Sequence, residues 1–369
     1  MVILNLVDKL EIVKRNTAEL ISEEELAELL REKEHPKAYI GFEVSGFLHL
    51  GTGIICVRKL ADLSDAGFEV VIFLADWHSM INNKLGGNLE VIQEVGEAYF
   101  KNAMLAAGLQ GKPRIKFVWA SDLVKDPNYW RRVIAVAKNT TMQRMIRCLP
   151  IMGRQDDIQN EMESAFLFYP PMQCADIFEI EGGLDIAAGG LDQRRIHMLA
   201  REVAPKLGRI KPVVLHTPLL MGLKGPGERM DVHSSGEDLG GLSEAKMSKS
   251  DPSSAIFTHD SPQEILAKIK KAHCPERIVE NNPIIEIAKF IHFPFSGSLK
   301  VERKPKFGGD IEITTFDHLT NLFTSGQLHP LDLKVSIANS LTKLLEPSRQ
   351  HFLDHPDQLE VIQRSKVTK

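Results

Sequence analysis

Two short stretches hold the residues best suited to act on a phosphate. Gly46-Phe47-Leu48-His49-Leu50-Gly51-Thr52 follows an apolar run of strand length and opens a stretch of helical texture. A helix N-terminus attracts anions, and glycine lets a backbone approach a nucleotide closely. An imidazole such as His49 can donate to a phosphate oxygen as charge develops there. Taken alone, the same residues also suit a structural histidine beside a turn. Far downstream stands Lys246-Met247-Ser248-Lys249-Ser250, at the end of a glycine-rich stretch. Lys246 and Lys249, three residues apart on a loop, can close over a triphosphate and stabilise a departing pyrophosphate. Alone, they equally suit a solvated charged loop.

A third constellation suits a small polar ligand. Tyr169, Gln173 and Asp176 are spaced by four and three, which puts them on one face of a helix that can begin at Pro170-Pro171. Beside the apolar Phe166, Leu167 and Phe168, this is a poor composition for a packing face, because buried polar groups need partners. A bound amino acid could supply them; an exposed polar face is the alternative. Gly189-Gly190-Leu191-Asp192-Gln193 also ends a strand and opens a helix. There Asp192 suits ribose hydroxyls, a helix N-cap, or both.

The elements that position these residues alternate. Ala38–Glu43, Glu69–Asp76, Arg114–Ala120, Leu184–Ala188 and Val213–His216 read as strands. Helices are expected over Gly51–Ala66 and Asn88–Ala107 and from Asp192 onward. Apolar strands alternating with helices predict an α/β fold, a parallel sheet covered on both faces. Residues 1–37 read as helical, with Ser22 as N-cap and Glu25 completing a capping box. Residues 110–168 read as a helical insertion rich in Arg and Met. The stretch 219–256 reads as loop, with six glycines between Gly222 and Gly241. Residues 257–369 return to helical texture and read as a separate α-helical C-terminal domain. That leaves 38–218 as the catalytic domain.

Composition narrows the class. The 369 residues carry a net charge of −4, with 43% hydrophobic and 25% charged residues. That is the mix of a globular protein of two or more domains, and it makes DNA binding a poor candidate for the main task. No apolar run reaches membrane-span length, and no signal peptide is read. Cys56, Cys148, Cys174 and Cys274 form no CxxC pair, so neither a zinc site nor a disulfide framework is expected, and a cytoplasmic setting fits.

The order of the two phosphate motifs matches the HIGH and KMSKS signatures of class I aminoacyl-tRNA synthetases. The chain resembles the archaeal/eukaryotic-type tyrosyl-tRNA synthetases along nearly its whole length. The resemblance runs through KRNTAELISEEEL, AYIGFEVSGFLHLGT, LADWH, YPPMQCADI, DIAAGGLDQRRIHMLARE, KMSKS, KKAHCP, NPIIEIAKF, KFGGDIE and LHPLDLK. It implies a Rossmann-like doubly wound parallel sheet with a helical insertion and an α-helical anticodon-binding domain. It implies that Tyr39 and Asp176 bind the phenol of L-tyrosine, with Tyr169, Gln173 and Gln193 around its amino and carboxylate groups. His49, Gly51, Thr52, Lys246 and Lys249 would serve ATP and its Mg²⁺, with Gly190 and Asp192 near the ribose. Arg194 would meet the acceptor stem of tRNA(Tyr), and Phe307 and Asp332 the anticodon. Lys300, Arg303, Lys304 and Lys306 form a basic cluster suited to phosphates or simply to solvent. A homodimer joined through the insertion is implied, with no tightly held metal and no membrane or DNA partner.

Three positions depart from the family pattern. Thr52 stands where a second histidine is common, Val44 replaces a proline, and Gly225–Ala245 is long. The stretch after Pro347 is poorly covered by the resemblance. A tryptophan-activating sister enzyme is disfavoured, because indole offers no hydroxyl to Tyr39 and Asp176. The intact signatures disfavour a non-catalytic RNA-binding paralogue. A small nucleotidyltransferase would leave the C-terminal domain unexplained.

Overall fold

The short apolar runs form one sheet because each is long enough for a strand and apolar enough to be covered on both sides. In the computed structural model, which describes residues 4–152, 163–226, 246–247 and 251–365, β1 is Glu19–Ile21, β2 Lys37–Phe42, β3 Glu69–Leu74, β4 Ile115–Trp119, β5 Ile186–Gly190 and β6 Val213–Thr217. Their order is β1-β6-β5-β2-β3-β4. β6, β5, β2, β3 and β4 run parallel, while β1 pairs antiparallel with the outer edge of β6. Val70, Val71, Ile72, Phe73 and Leu74 of β3 and all of β6 are buried. β2 comes early in the chain but lies mid-sheet, with β3 on one side and β5 on the other. The strand order therefore reverses between β2 and β5, which is where open α/β sheets leave a crevice at the strands' carboxyl ends.

The N-terminal region departs from the all-helical expectation. Leu6–Lys14 and Glu23–Glu32 are helices, but β1 lies between them. Three residues are too few for alternation to show in a sequence. Ser22 does cap the second helix, accepting from the Glu25 N–H at 3.3 Å. The Glu25 carboxylate serves a different purpose from the expected reciprocal bond. It binds Arg201 at 2.8 Å and Lys211 at 2.5 Å, and the Arg201 hydrogen bond is the main reason its pKa falls to about 2. The helix expected over Gly51–Ala66 starts as a wide π-type segment, Leu50–Cys56, and becomes regular at Val57–Asp65.

The chain divides into two compact units. One comprises Met1–Gly46, Cys56–Pro218 and Asp357–Lys369 and contains the six-stranded sheet. The other comprises Phe47–Ile55 and Leu219–Pro356. This differs from a linear division in two places. The histidine-bearing segment groups with the C-terminal half, and the last helix, Pro356–Ser365, groups almost wholly with the sheet. In the second unit, Ser261 and Glu264 close a capping box on the helix Pro262–Lys271, which packs against the long helix Pro330–Leu344. Its helical texture is interrupted by an antiparallel hairpin of β7, Leu299–Val301, and β8, Ile311–Ile313.

Candidate active site

The helix Tyr169–Glu179 opens with Pro170 and Pro171 in its first turn, where a missing N–H costs nothing. Every residue from Tyr169 to Phe178 is buried. Its polar side chains must therefore be satisfied inside the protein. Asp176 accepts from the Tyr129 hydroxyl at 2.8 Å, and its other oxygen lies 3.4 Å from His78 Nε2. This contact is not an ion pair. Burial pushes the Asp176 carboxyl well above the usual range and pulls His78 down to about 3, so both groups favour their neutral forms. Among the described residues, neither ring nitrogen of His78 has a hydrogen-bond partner.

Tyr39 is buried on β2, edge-to-face with Phe73. Burial raises its phenol pKa well above 10. The tyrosine that bonds Asp176 is Tyr129, from the helix Pro127–Lys138. Tyr129 and His78 were not singled out from sequence. The only hints were Asp126-Pro127, which sets a helix start just before Tyr129, and the stretch LADWH.

Toward the N-terminus of the Tyr169–Glu179 helix the lining becomes more polar. Gln173 Nε2 donates to Gln193 Oε1 at 2.9 Å, while Gln173 Oε1 is buried without a partner among the described residues. Gly189 makes this approach possible, since a Cβ there would sit 2.9 Å from Gln193 Cγ. The Tyr169 hydroxyl donates to Glu43 Oε1 at 2.9 Å. Gly190 ends β5, and Asp192 lies in the turn Leu191–Gln193 that leads into the helix Arg194–Val203. Arg194 Nε donates to both oxygens of Glu19, at 2.8 and 2.9 Å. His216 Nδ1 lies 2.8 Å from the same carboxylate, and His197 Nδ1 lies 3.0 Å from His216 Nε2. The side chain assigned to the acceptor stem is thus held by β1, the strand that the sequence did not reveal.

His49 and Lys246 both belong to the second unit. His49 bridges to Phe257, Leu50 N–H donates to Ile256 O at 3.0 Å, and Thr258 N–H donates to Leu48 O at 2.9 Å. Gly51 N–H donates to His49 Nδ1 at 3.1 Å, which leaves the imidazole proton on Nε2, the tautomer able to donate outward. Thr52 continues the π-type segment. Lys246 bridges to Met221, Met247 N–H donates to Leu220 O at 2.6 Å, and Met221 N–H donates to Glu286 at 2.8 Å. Lys249 lies outside the described residues. Phe307 is 60% exposed on the turn Pro305–Phe307, and Asp332 is half-buried in the first turn of Pro330–Leu344. Within the basic cluster, Arg303 is spent on the carbonyls of Gly309 and Gln327, and Lys300 pairs with Glu302. Those two serve the hairpin before any phosphate.

A profile of the family described as tRNA synthetases class I (W and Y) matches residues 31–346. The tyrosine-tRNA ligase of Sulfurisphaera tokodaii is 46% identical over 348 residues, which is 94% of this chain and 93% of that protein. The chain belongs to the tyrosyl-tRNA synthetases. The tyrosine-tRNA ligase of Thermococcus kodakarensis is 45% identical over 98% of this chain and 99% of its own length. A crystal structure of tyrosyl-tRNA synthetase complexed with L-tyrosine from Pyrococcus horikoshii superposes with a TM-score of 0.90 at 42% identity, covering 98% of this chain and all of that one. As a tyrosyl-tRNA synthetase, the chain is a class I ligase with the expected Rossmann-like core. No helix among the described residues is long and apolar enough to cross a membrane.

Proposed function

We propose that this synthetase activates L-tyrosine with ATP and transfers the tyrosyl group to tRNA(Tyr), with the Asp176 site reading the phenol. One observation carries this reading: a helix buried from Tyr169 to Phe178 presents a carboxyl to a hydroxyl group, at Asp176 and Tyr129, in a chain of this family. In the first step the tyrosine carboxylate attacks the α-phosphorus of ATP, supplied as its Mg²⁺ complex, giving tyrosyl-adenylate and pyrophosphate. In the second, the terminal ribose hydroxyl of the tRNA attacks the acyl carbon and AMP leaves. No covalent enzyme intermediate is required, so positioning and charge stabilisation carry the rate. Tyr39 and Asp176 hold the phenol, and Tyr169, Gln173 and Gln193 the amino-acid end. His49, Gly51, Thr52, Lys246 and Lys249 serve the phosphates, while Gly190 and Asp192 serve the ribose.

Arg194 meets the acceptor stem, and Phe307 and Asp332 the anticodon. The enzyme works in the cytoplasm as a homodimer joined through the 110–168 segment, where Ile134, Met142 and Phe168 expose apolar surface. ATP–pyrophosphate exchange measured with each of the twenty amino acids tests the activity. Exchange that depends on tyrosine alone is expected, and exchange driven by tryptophan would overturn the substrate assignment.

A further inference from the structure

The three side chains placed around the substrate's amino group, Tyr169, Gln173 and Gln193, are all neutral. An ammonium drawn out of water needs more than neutral acceptors, because desolvating an isolated charge costs far more than desolvating an amide. Glu43 is hydrogen-bonded to this trio through Tyr169, while Asp192 acts on the same phenol through its charge. The Tyr169 hydroxyl donates to Glu43 Oε1 at 2.9 Å, and Asn82 Nδ2 donates to the same oxygen at 2.8 Å. Burial and Glu43 together keep the Tyr169 phenol well above its ordinary pKa, so it remains a donor to this carboxylate. Glu43 Oε1 is thus fixed from two sides. Oε2 meets Lys84 Nζ only at 3.6 Å, beyond hydrogen-bond reach.

The placement along the helix agrees. At 1.5 Å per residue, Gln173 lies about 4.5 Å and Tyr169 about 10.5 Å along the axis from Asp176. A ligand whose phenol meets Asp176 therefore carries its amino group past Gln173 toward Tyr169 and Glu43. Gln173 Oε1, buried and unpartnered among the described residues, is an acceptor that an ammonium N–H would satisfy. Glu43 itself directly follows β2, at the carboxyl end of the strand beside which the sheet order reverses.

We propose that Glu43 is the counter-charge for the substrate ammonium, a specificity-determining residue that favours an amino acid over its deaminated analogue. The proposal rests on the tyrosine reading of the Asp176 site. Glu43→Gln isolates the charge, because the amide oxygen can still accept from Tyr169 and Asn82. The test is calorimetric titration of the full chain, unaltered and E43Q, with L-tyrosine, tyramine and 3-(4-hydroxyphenyl)propionate. Tyrosine and tyramine should weaken about tenfold or more in E43Q. The propionate, which has no ammonium, should bind equally well or better. Glu43→Asp, which keeps the charge, should retain the preference for amine-bearing ligands. Equal weakening of all three ligands would make Glu43 a structural prop for Tyr169, and no change in any would remove it from recognition; either result overturns the proposal. Pyrophosphate exchange separates this from the activity. A protein that binds tyrosine with this charge dependence yet shows no exchange keeps the Glu43 assignment and loses the activity. One that binds no tyrosine loses both.

Discussion

Tyrosine and phenylalanine differ by one oxygen, so choosing between them depends on what the site loses when that oxygen is missing. A pocket that merely fits the ring cannot separate them well, whereas one that leaves its own polar groups unpaired can; tyrosyl-tRNA synthetase is itself the standard illustration of the effect. Tyr39→Phe should cost tyrosine roughly 0.5–1.5 kcal/mol, the range for a neutral hydrogen bond, and leave phenylalanine nearly unaffected. Asp176→Ala should be far more damaging, because it also strands the Tyr129 hydroxyl, whose next acceptor is Met172 O at 3.4 Å. The measurement is kcat/KM for both amino acids, and an unchanged ratio in both variants would place phenol recognition elsewhere. His78, facing Asp176, makes a second prediction. Burial holds it down to about 3, against 6.5 ordinarily. Between those values the unfolded chain binds a proton that the folded chain refuses. Stability therefore falls as pH falls through that window, by about 1.4 kcal/mol per pH unit for one such group. His78→Asn should make the slope shallower by roughly one proton in urea titrations between pH 6.5 and pH 4, whatever it does to stability at pH 7. An identical slope would refute the buried neutral state. His197 and His216 shift the same way and still contribute in the variant. Tyr169, Gln173 and Asp176 could be read from sequence because helix spacing puts them together. Tyr129 and His78 could not, because they reach Asp176 only through packing between elements.

The parallel strands were legible for a related reason: a strand buried on both faces must be a short, continuous apolar run. β2 to β6 fall where those runs lie, with ends displaced by a residue or two. Asp76, expected to end a strand, instead begins the helix Asp76–Ile81 and takes up the Ser121 N–H at 3.0 Å. β1 and the β7–β8 hairpin were not legible, since three-residue strands carry no periodicity. Gly53 shows how tightly the histidine segment is fitted to its neighbour. A Cβ there would lie 2.4 Å from Thr258 Cγ2 and 3.2 Å from Leu48 Cβ. Gly53→Ala should destabilise the protein by about 1–3 kcal/mol, as overpacking does. Thr258→Ser removes the opposing methyl, so the double variant should recover most of the loss. Thermal melts of the two singles and the double form the cycle, and simple additivity would show that the contact is not what excludes a side chain.

Across the whole molecule, chemistry and tRNA reading should be separable. Phe307 is exposed and Asp332 half-buried, and both lie beyond the signature segments in the chain, in the hairpin and helix end of the second unit. Phe307→Ala and Asp332→Ala should each lower aminoacylation several-fold through tRNA affinity while pyrophosphate exchange stays near the unaltered rate. Melting curves should accompany the assay, since surface positions outside the core ordinarily shift stability within about 0.5 kcal/mol. A parallel collapse of exchange, with an unchanged melt, would remove the anticodon role.

The hydrogen bonds that tie Leu48 and Leu50 to Thr258 and Ile256 also set a timetable. During synthesis the histidine segment leaves the ribosome about two hundred residues before its partners exist, an interval of about 10–40 s at ordinary elongation speeds. The strands of the sheet can pair in that time, but the histidine segment cannot take its final form. Leu48 and Leu50, buried in the finished protein, lack these backbone partners throughout. A ribosome that stalls near residue 218 would hold a sheet whose histidine segment has no partners, a substrate for chaperones rather than for tyrosine.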